Sequence, residues 1–228
     1  MTAPPIHSLH RPCRSTPGAT RAFTLVELLV VVLIIGLLLS FLVPAFGNLG
    51  KAGALTSAGS QVANLVNLAR QNSMSKNAMT ALIVNTDSTL DNANRLFTLL
   101  ELVPPSSGAQ PQTTDWKPLS GWETIRAGVV ADSNPANFSF PDSATQPVPK
   151  FPSPIQYGAK AIGSYKYVIF LPNGTLLSGT STRIRLTEGF LAPGASTVTY
   201  TRPKAGGSAN YYDITILAAT GRTKIDRP

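Results

Sequence analysis

Histidine and cysteine are almost missing from this chain, and the few present crowd one end. The 228 residues hold two histidines, His7 and His10, and one cysteine, Cys13. Residues 14–228 contain neither an imidazole nor a thiol. That removes the commonest general base at neutral pH and the thiolate nucleophile, and leaves no pair for a disulfide. His7, His10 and Cys13 lie in a short proline-rich stretch with no framework, so they do not read as a metal site. Acids are scarce as well: 11 Asp and Glu face 19 Lys and Arg, for a net charge of +8, and only 13% of residues are charged. No G-x-S-x-G, H-E-x-x-H, P-loop or G-x-G-x-x-G motif occurs. No spacing picks out a carboxylate pair. The chain reads as a protein that is not an enzyme and needs no cofactor.

What the chain has instead is one long apolar run. Residues 21–44 read R-A-F-T-L-V-E-L-L-V-V-V-L-I-I-G-L-L-L-S-F-L-V-P. From Phe23 to Val43 a single charge, Glu27, interrupts it. At ~1.5 Å of rise per residue, this stretch makes a helix of roughly 30 Å, about one hydrocarbon core. The expectation is a membrane-spanning helix over 23–44. A carboxylate there costs at least ~2.5 kcal/mol unless it is paired. Glu27 therefore either snorkels to the headgroups or meets a positive charge inside an assembly.

Residues 1–22 read as a leader. They carry Arg11, Arg14 and Arg21, no acid, and Pro4, Pro5, Pro12 and Pro17. Basic flanks stay cytoplasmic, which places the N-terminus inside and the C-terminal bulk outside the cytoplasm. Without those three arginines the remainder holds 16 basic and 11 acidic side chains, net +5. The rival is an ordinary secretory signal cut after V-P-A at 43–45, before Phe46. The length of the run and the position of Glu27 speak against it.

The stretch A-F-T-L-V-E-L-L-V-V-V resembles the N-terminal signal of type IV prepilins and type II secretion prepseudopilins. The resemblance implies cleavage between Ala22 and Phe23 by a prepilin peptidase, then N-methylation of Phe23. It extends to Gly36 and Pro44, fourteenth and twenty-second from Phe23, where many family members also have Gly and Pro. Ala22 departs from the usual Gly before the cut. For Glu27 the resemblance implies an assembly role, pairing with the free α-amino group of a neighbouring subunit. The implied partners are the peptidase, other pilin or pseudopilin subunits and the inner membrane. The implied location is the cytoplasmic membrane, with the C-terminal domain in the periplasm, and then a fibre.

The rest of the chain reads as a helix followed by strands. Leu55, Val62, Leu65, Val66 and Ala69 keep helical spacing over 45–79, making an apolar stripe that docks on a globular domain. Beyond 78 the period turns to two. Strands are expected at 78–85, 95–103, 122–126, 165–171, 182–187, 197–203 and 211–218. Residues 104–118 read as a turn-rich loop and 132–154 as a long surface loop or insertion. Gly and Pro total 37 residues, which favours a loop-rich β domain. The expected fold is α+β, a long N-terminal helix, membrane-spanning in its first half, packed on an antiparallel β-sandwich-like domain. The expected divisions are the leader 1–22, the assembly helix 23–44, its amphipathic continuation 45–79, and an extracytoplasmic β-rich domain 80–228.

Two stretches of the β region carry a second resemblance. V-I-F-L-P-N-G at 168–174 and I-T-I-L-A-A-T-G-R at 214–222 are similar to the H-type minor pseudopilin and FimT-like pilin domain. W-K-P-L-S-G-W at 116–122 falls where that family has a Trp-containing segment. FimT-like pilins carry a Gly-Arg-x-Arg tail that contacts DNA. Here the tail offers Arg222, Lys224 and Arg227, with Lys224 in place of the second Arg, which loses bidentate geometry on phosphate. The alternative is a solvated basic tail. Asp87 and Asp91, with Asn92 and Asn94, form a weak calcium candidate that a polar hairpin loop explains equally well.

Overall fold

The structure is a computed structural model. It describes residues 24–105 and 108–228, with the side chains of 41–52 outside the description. The chain forms two compact units, Met1–Phe46 and Gly47–Pro228. Helix α1, Leu25–Lys76, contributes to both.

In the first unit, α1 starts on a threonine cap. Thr24 precedes the first helical residue, and its Oγ1 accepts the backbone N–H of Glu27 at 3.2 Å. This T-x-x-E spacing satisfies one of the donors a helix start leaves open. Leu25 through Leu39 expose their large apolar side chains, from 45% to 81% of their surface. Among the described residues no helix is long and apolar enough to cross a membrane. Of the apolar run expected to span a bilayer, Phe23 and the side chains of 41–44 lie outside the described residues.

In the second unit, α1 buries one face. Ala54, Leu55, Ala58, Val62, Leu65, Val66 and Ala69 are all buried, at the spacing of a single helical stripe. Each Val or Leu buried there stabilises the fold by about 1.5–3 kcal/mol. The helix stops at Asn77, which takes the left-handed conformation (φ 51°), and Ala78 N–H bonds the Ser73 carbonyl at 3.2 Å. Beside this end, Glu101 accepts from Asn72 Nδ2 at 3.2 Å and Lys76 Nζ at 2.8 Å.

Fourteen strands follow among the described residues. They are β1 Thr80–Asn85, β2 Leu96–Leu102, β3 Trp116–Pro118, β4 Glu123–Thr124, β5 Val129–Ala131, β6 Ile155–Tyr157 and β7 Lys160–Ile162. Then come β8 Tyr165–Phe170, β9 Thr182–Phe190, β10 Thr199–Tyr200, β11 Pro203–Lys204, β12 Gly207–Ser208, β13 Tyr211–Ile216 and β14 Thr223–Asp226. Two five-stranded antiparallel sheets result. The first runs β3-β2-β1-β8 with β4 also on β2, and the second β10-β9-β13-β14 with β5 also on β9. Two hairpins, β6–β7 and β11–β12, stand apart.

The α1 stripe and both sheets share one core. Leu82, Val84, Phe97, Leu99, Val168 and Phe170 of the first sheet join Ile184, Leu186, Tyr212, Ile214 and Ile216 of the second. The opposite face of the first sheet is buried too, under residues 141–162. Ala81, Ile83, Leu100, Tyr167 and Ile169 pack there with Trp116, Phe151, Ile155 and Ile162. A sheet covered on both sides explains why β1 reads as a continuous apolar run.

Several expectations need correction. The strands among the described residues are more numerous than the seven expected, and most are shorter, whereas β9 extends beyond the expected 182–187 to Phe190. The long surface loop at 132–154 is largely a cover: Phe138, Phe140 and Phe151 are buried. Lys166 Nζ ties it down through the carbonyls of Phe138 at 3.2 Å and Phe140 at 3.1 Å. Burial pushes the Lys166 pKa down, opposed by the charge of Asp142. The loop at 104–118 contributes β3. The strand expected at 122–126 shrinks to β4. That at 197–203 shrinks to β10, with Pro203 starting β11.

Gly59 fixes how closely α1 approaches the second sheet. A Cβ there would lie 2.5 Å from Cγ of the buried Tyr212 ring. At Gly53, six residues earlier, a Cβ meets nothing within 4 Å. Gly59→Ala should destabilise the domain by about 1–3 kcal/mol, because overpacking outweighs the gain in helix propensity. Gly53→Ala should be neutral or stabilising. Thermal melts of the two variants check this, and equal melting temperatures would contradict the packing argument.

Candidate functional site

Ala22 and Phe23, the expected cleavage and methylation residues, lie outside the described residues. Glu27 is in the first turn of α1 and is exposed. Its backbone N–H is taken by Thr24, and among the described residues no cation forms an ion pair with its carboxylate. A Cβ on Gly36 would meet nothing within 4 Å, so no packing among the described residues requires glycine there. Pro44 is within α1, its side chain undescribed. Leu25, Leu28, Leu29, Val32 and Leu33 line a shallow apolar depression on the same helix.

The acidic loop after β1 is a structural clamp. Asp87 accepts from Thr89 N at 3.0 Å, Thr89 Oγ1 at 2.7 Å and Gly163 N at 2.8 Å. Partial burial raises its pKa, but these donors outweigh that and hold it below the ordinary carboxylate value. Asp91 is exposed. Asn94 adopts φ 59°, and its Nδ2 donates to the Ala131 carbonyl at 3.1 Å. Asp87 and Asn94, the two residues of the calcium candidate with side-chain bonds, thus serve different segments. Among the described residues no group of three or more His, Cys, Asp or Glu could hold a metal ion.

The structure brings the two C-terminal motif stretches together. A Cβ on Gly221 would fall 2.1 Å from the Gly174 carbonyl oxygen and 3.1 Å from Arg70 Cδ. A Cβ on Gly174 would fall 2.7 Å from Met74 Sδ. Both glycines have positive φ, 80° at Gly174 and 62° at Gly221. Arg70, on α1, donates from Nε to the Thr220 carbonyl at 2.7 Å. The P-N-G turn and the T-G-R turn therefore need glycine because they meet each other and the helix. Arg70 carries no sequence signal for this role, since it is one more polar residue between apolar ones.

The C-terminal cations do not form a free tail. Residues 223–226 are strand β14, with Lys224 opposite Thr215 and Asp226 opposite Asp213. Lys224 Nζ pairs with Asp226 at 3.1 Å, and both are exposed. The Arg227 guanidinium stacks on the Tyr212 ring at 4.4 Å. Strand alternation sends Arg222 and Lys224 to one face and Arg227 to the other. Beyond Lys224 on the same row, Thr215 faces Arg183. Arg183 lies 3.6 Å from Asp213, while Arg185 grips Asp213 with two bonds at 2.7 and 2.6 Å.

A buried polar knot sits under β10. Asp132 is fully buried and accepts from Tyr200 Oη at 2.7 Å, Asn134 N at 3.0 Å and Asn137 Nδ2 at 2.8 Å. With both oxygens engaged, it reads as a satisfied network holding the start of the 132–137 turn. Nothing in the sequence marks the pairing, which spans 68 residues.

No family model matches the chain, and no curated protein matches it in sequence. Among solved structures, it is similar to the type IV minor pilin FimU of Pseudomonas aeruginosa strain PAO1. Identity is 15%, over 78% of this chain and 95% of that one, with a TM-score of 0.42. It is also similar to the minor pseudopilin EpsH from the Type 2 Secretion System of Vibrio cholerae. There, identity is 11%, over 76% of this chain and 97% of the other, with a TM-score of 0.40.

Burial, followed by the bond to Asp132 and its charge, pushes the Tyr200 pKa up to about 12. The folded value lies above the unfolded one. The stability this neutral phenol contributes is therefore complete below the ordinary tyrosine pKa of about 10 and is lost as pH rises through about 12. Ultraviolet titration of tyrosinate should show a late-ionising phenol that Tyr200→Phe removes. An unchanged titration curve in that variant would refute the assignment.

Proposed function

We propose that this chain is a minor pilin or pseudopilin. It would be a structural subunit cut before Phe23 by a prepilin peptidase, N-methylated there, and assembled with other subunits into a type IV pilus-like or type II secretion fibre. The observation that carries this reading is the ordered pattern A-F-T-L-V-E followed by an uncharged apolar run. The α1 residues Leu25 to Leu39, exposed on all sides, support it, because such a surface needs lipid or neighbouring helices around it. The subunit would sit in the cytoplasmic membrane with its β domain on the periplasmic side before joining the fibre. The divisions 1–22, 23–44, 45–79 and 80–228 belong to the same proposal.

The test is the mass and N-terminal sequence of the chain recovered from membranes. The expected product begins at Phe23 and carries one extra methyl group. A chain beginning at Met1 would make it a plain membrane-anchored β domain. A soluble chain beginning at Phe46 would make it an ordinary secreted protein.

Glu27 gives a second, independent check. In this reading its carboxylate is neutralised by the α-amino group that cleavage creates on a neighbouring subunit. Glu27→Gln keeps size and hydrogen bonding but removes the charge. The variant should be processed normally and lose incorporation into fibres by about tenfold or more, the scale of a lost buried ion pair. Wild-type incorporation, read by immunoblotting sheared fibres, would defeat the pairing.

A DNA-contacting variant of the same subunit rests on Arg222, Lys224 and Arg227. Strand β14 leaves Arg222 and Lys224 on an exposed face and spends Arg227 on Tyr212. A phosphate-binding role would thus fall mainly on the first two, helped by Arg183 on the adjoining row.

A further inference from the structure

Strand β14 ends the second sheet, and among the described residues no strand pairs with its far side. The hydrogen-bond phase between β13 and β14 decides what that side offers. Leu217 N–H bonds the Arg222 carbonyl at 2.9 Å, so Leu217 and Arg222 form a hydrogen-bonded pair. Such pairs recur at every second residue of an antiparallel ladder. Lys224, opposite Thr215, and Asp226, opposite Asp213, therefore turn their backbone groups toward β13. Thr223 and Ile225 turn theirs outward, each with an N–H and a carbonyl. Outward backbone groups of this kind are a template for another strand.

The side chains of β14 narrow the choice of that strand. Ile225 stands opposite Ile214 and so shares its core-facing side, yet it is 45% exposed. Lys224 and Asp226 flank it on the solvent side and pair with each other at 3.1 Å, both exposed. An edge guarded against pairing typically carries lysines or a proline. This edge carries one charge of each sign, placed symmetrically about an apolar residue.

That pattern is complementary to itself. In an antiparallel pairing of two copies of β14 centred on Ile225, the two isoleucines exchange both backbone bonds and their side chains meet. Lys224 of each copy then faces Asp226 of the other at a non-hydrogen-bonded position, where side chains approach most closely. The neighbouring registers that keep the same backbone phase are worse. Centred on Lys224, lysine faces lysine, and the remaining acid must reach Arg222, which lies before the strand. Centred on Asp226, aspartate faces aspartate. Only the Ile225 register sets every charge of the strand against its opposite.

We infer that β14 pairs with β14 of a second copy of this chain, antiparallel and centred on Ile225, so that the two second sheets join into one. A two-fold contact of this kind uses the same edge on both copies and leaves none there for a third. The pair is a closed dimer, separate from any fibre. The inference is independent of the pilin reading.

The test uses the full chain in detergent micelles, with Cys13→Ser to remove the lone native thiol. Lys224→Cys and Asp226→Cys are made in separate chains. Under mild oxidation a mixture of the two should give several-fold more disulfide-linked dimer than either variant alone, because 224 faces 226 only across the two copies. Sedimentation of chains without added cysteines gives the second readout. Lys224→Asp and Asp226→Lys should each weaken dimerisation about tenfold, since two cross-strand pairs turn from opposite to like charge. The two substitutions together exchange the charges and should restore it. Both positions are exposed, so the fold tolerates these changes. A chain that stays monomeric throughout the concentration series would overturn the inference. So would equal crosslinking in the mixture and in the single variants, or a dimer that ignores both charge reversals.

Discussion

A single helical face has to serve two sheets at once. The stripe from Ala54 to Ser73 lies against the first sheet through Leu82, Phe97 and Val168, and against the second through Ile184, Tyr212 and Ile214. The small residues in it, Ala54, Ala58, Ala63 and Ala69, follow from this, because two sheets can share one helix only where side chains leave room. Gly59 is the extreme case, where the Tyr212 ring occupies the space of a Cβ. The Glu101 cluster then fixes the end of the helix against β1 and β2, with Asn72 also donating to Thr80 Oγ1 at 3.0 Å. Neither sheet is positioned by the other alone.

That arrangement accounts for what the sequence reveals. The helix was legible because its apolar residues, from Leu55 to Ala69, keep one period for about four turns. The centres of β1, β2, β8, β9 and β13 were legible because each carries at least four apolar or β-branched residues between turn signals. Strand β5 was hidden: V-V-A is too short to show a period, and its partner β9 lies more than fifty residues away. Strand β14 was hidden differently. T-K-I-D has the composition of a solvated tail, and only its pairing with β13 makes it a strand. The 132–154 segment was misread because proline and serine suppress any period, while its phenylalanines enter two different clusters, Phe138 and Phe140 the core shared with α1 and Phe151 the outer face of the first sheet.

The candidate site residues divide along the same line. Glu27 was visible as the one charge in an apolar run, which is the kind of information a sequence carries. The meeting of Gly174 with Gly221 and Arg70 was not, since it joins three segments far apart in the chain. The motif glycines could be singled out from resemblance, but their physical reason, close approach of two turns to one helix, exists only in the fold. The basic C-terminal residues show the converse. Charge was legible, but which face each charge occupies depended on the register of β14.

The proposed role of Glu27 can be weighed against the helix that carries it. Removing the side chains of Leu25 to Leu39 from water is worth about 1.5–3 kcal/mol each where burial is complete. One unpaired carboxylate costs ~2.5 kcal/mol or somewhat more. Thirteen apolar side chains outweigh one acid several-fold, so Glu27 cannot decide whether this segment leaves water. It can decide where the segment comes to rest. A site that brings a cation to Glu27 is preferred over one that does not by the cost of the unpaired charge, whereas the apolar term barely distinguishes lipid from another helix. In the proposed assembly, an acid in this position would set register between chains, and its cap by Thr24, made through the backbone N–H, leaves the carboxylate unspent for that purpose.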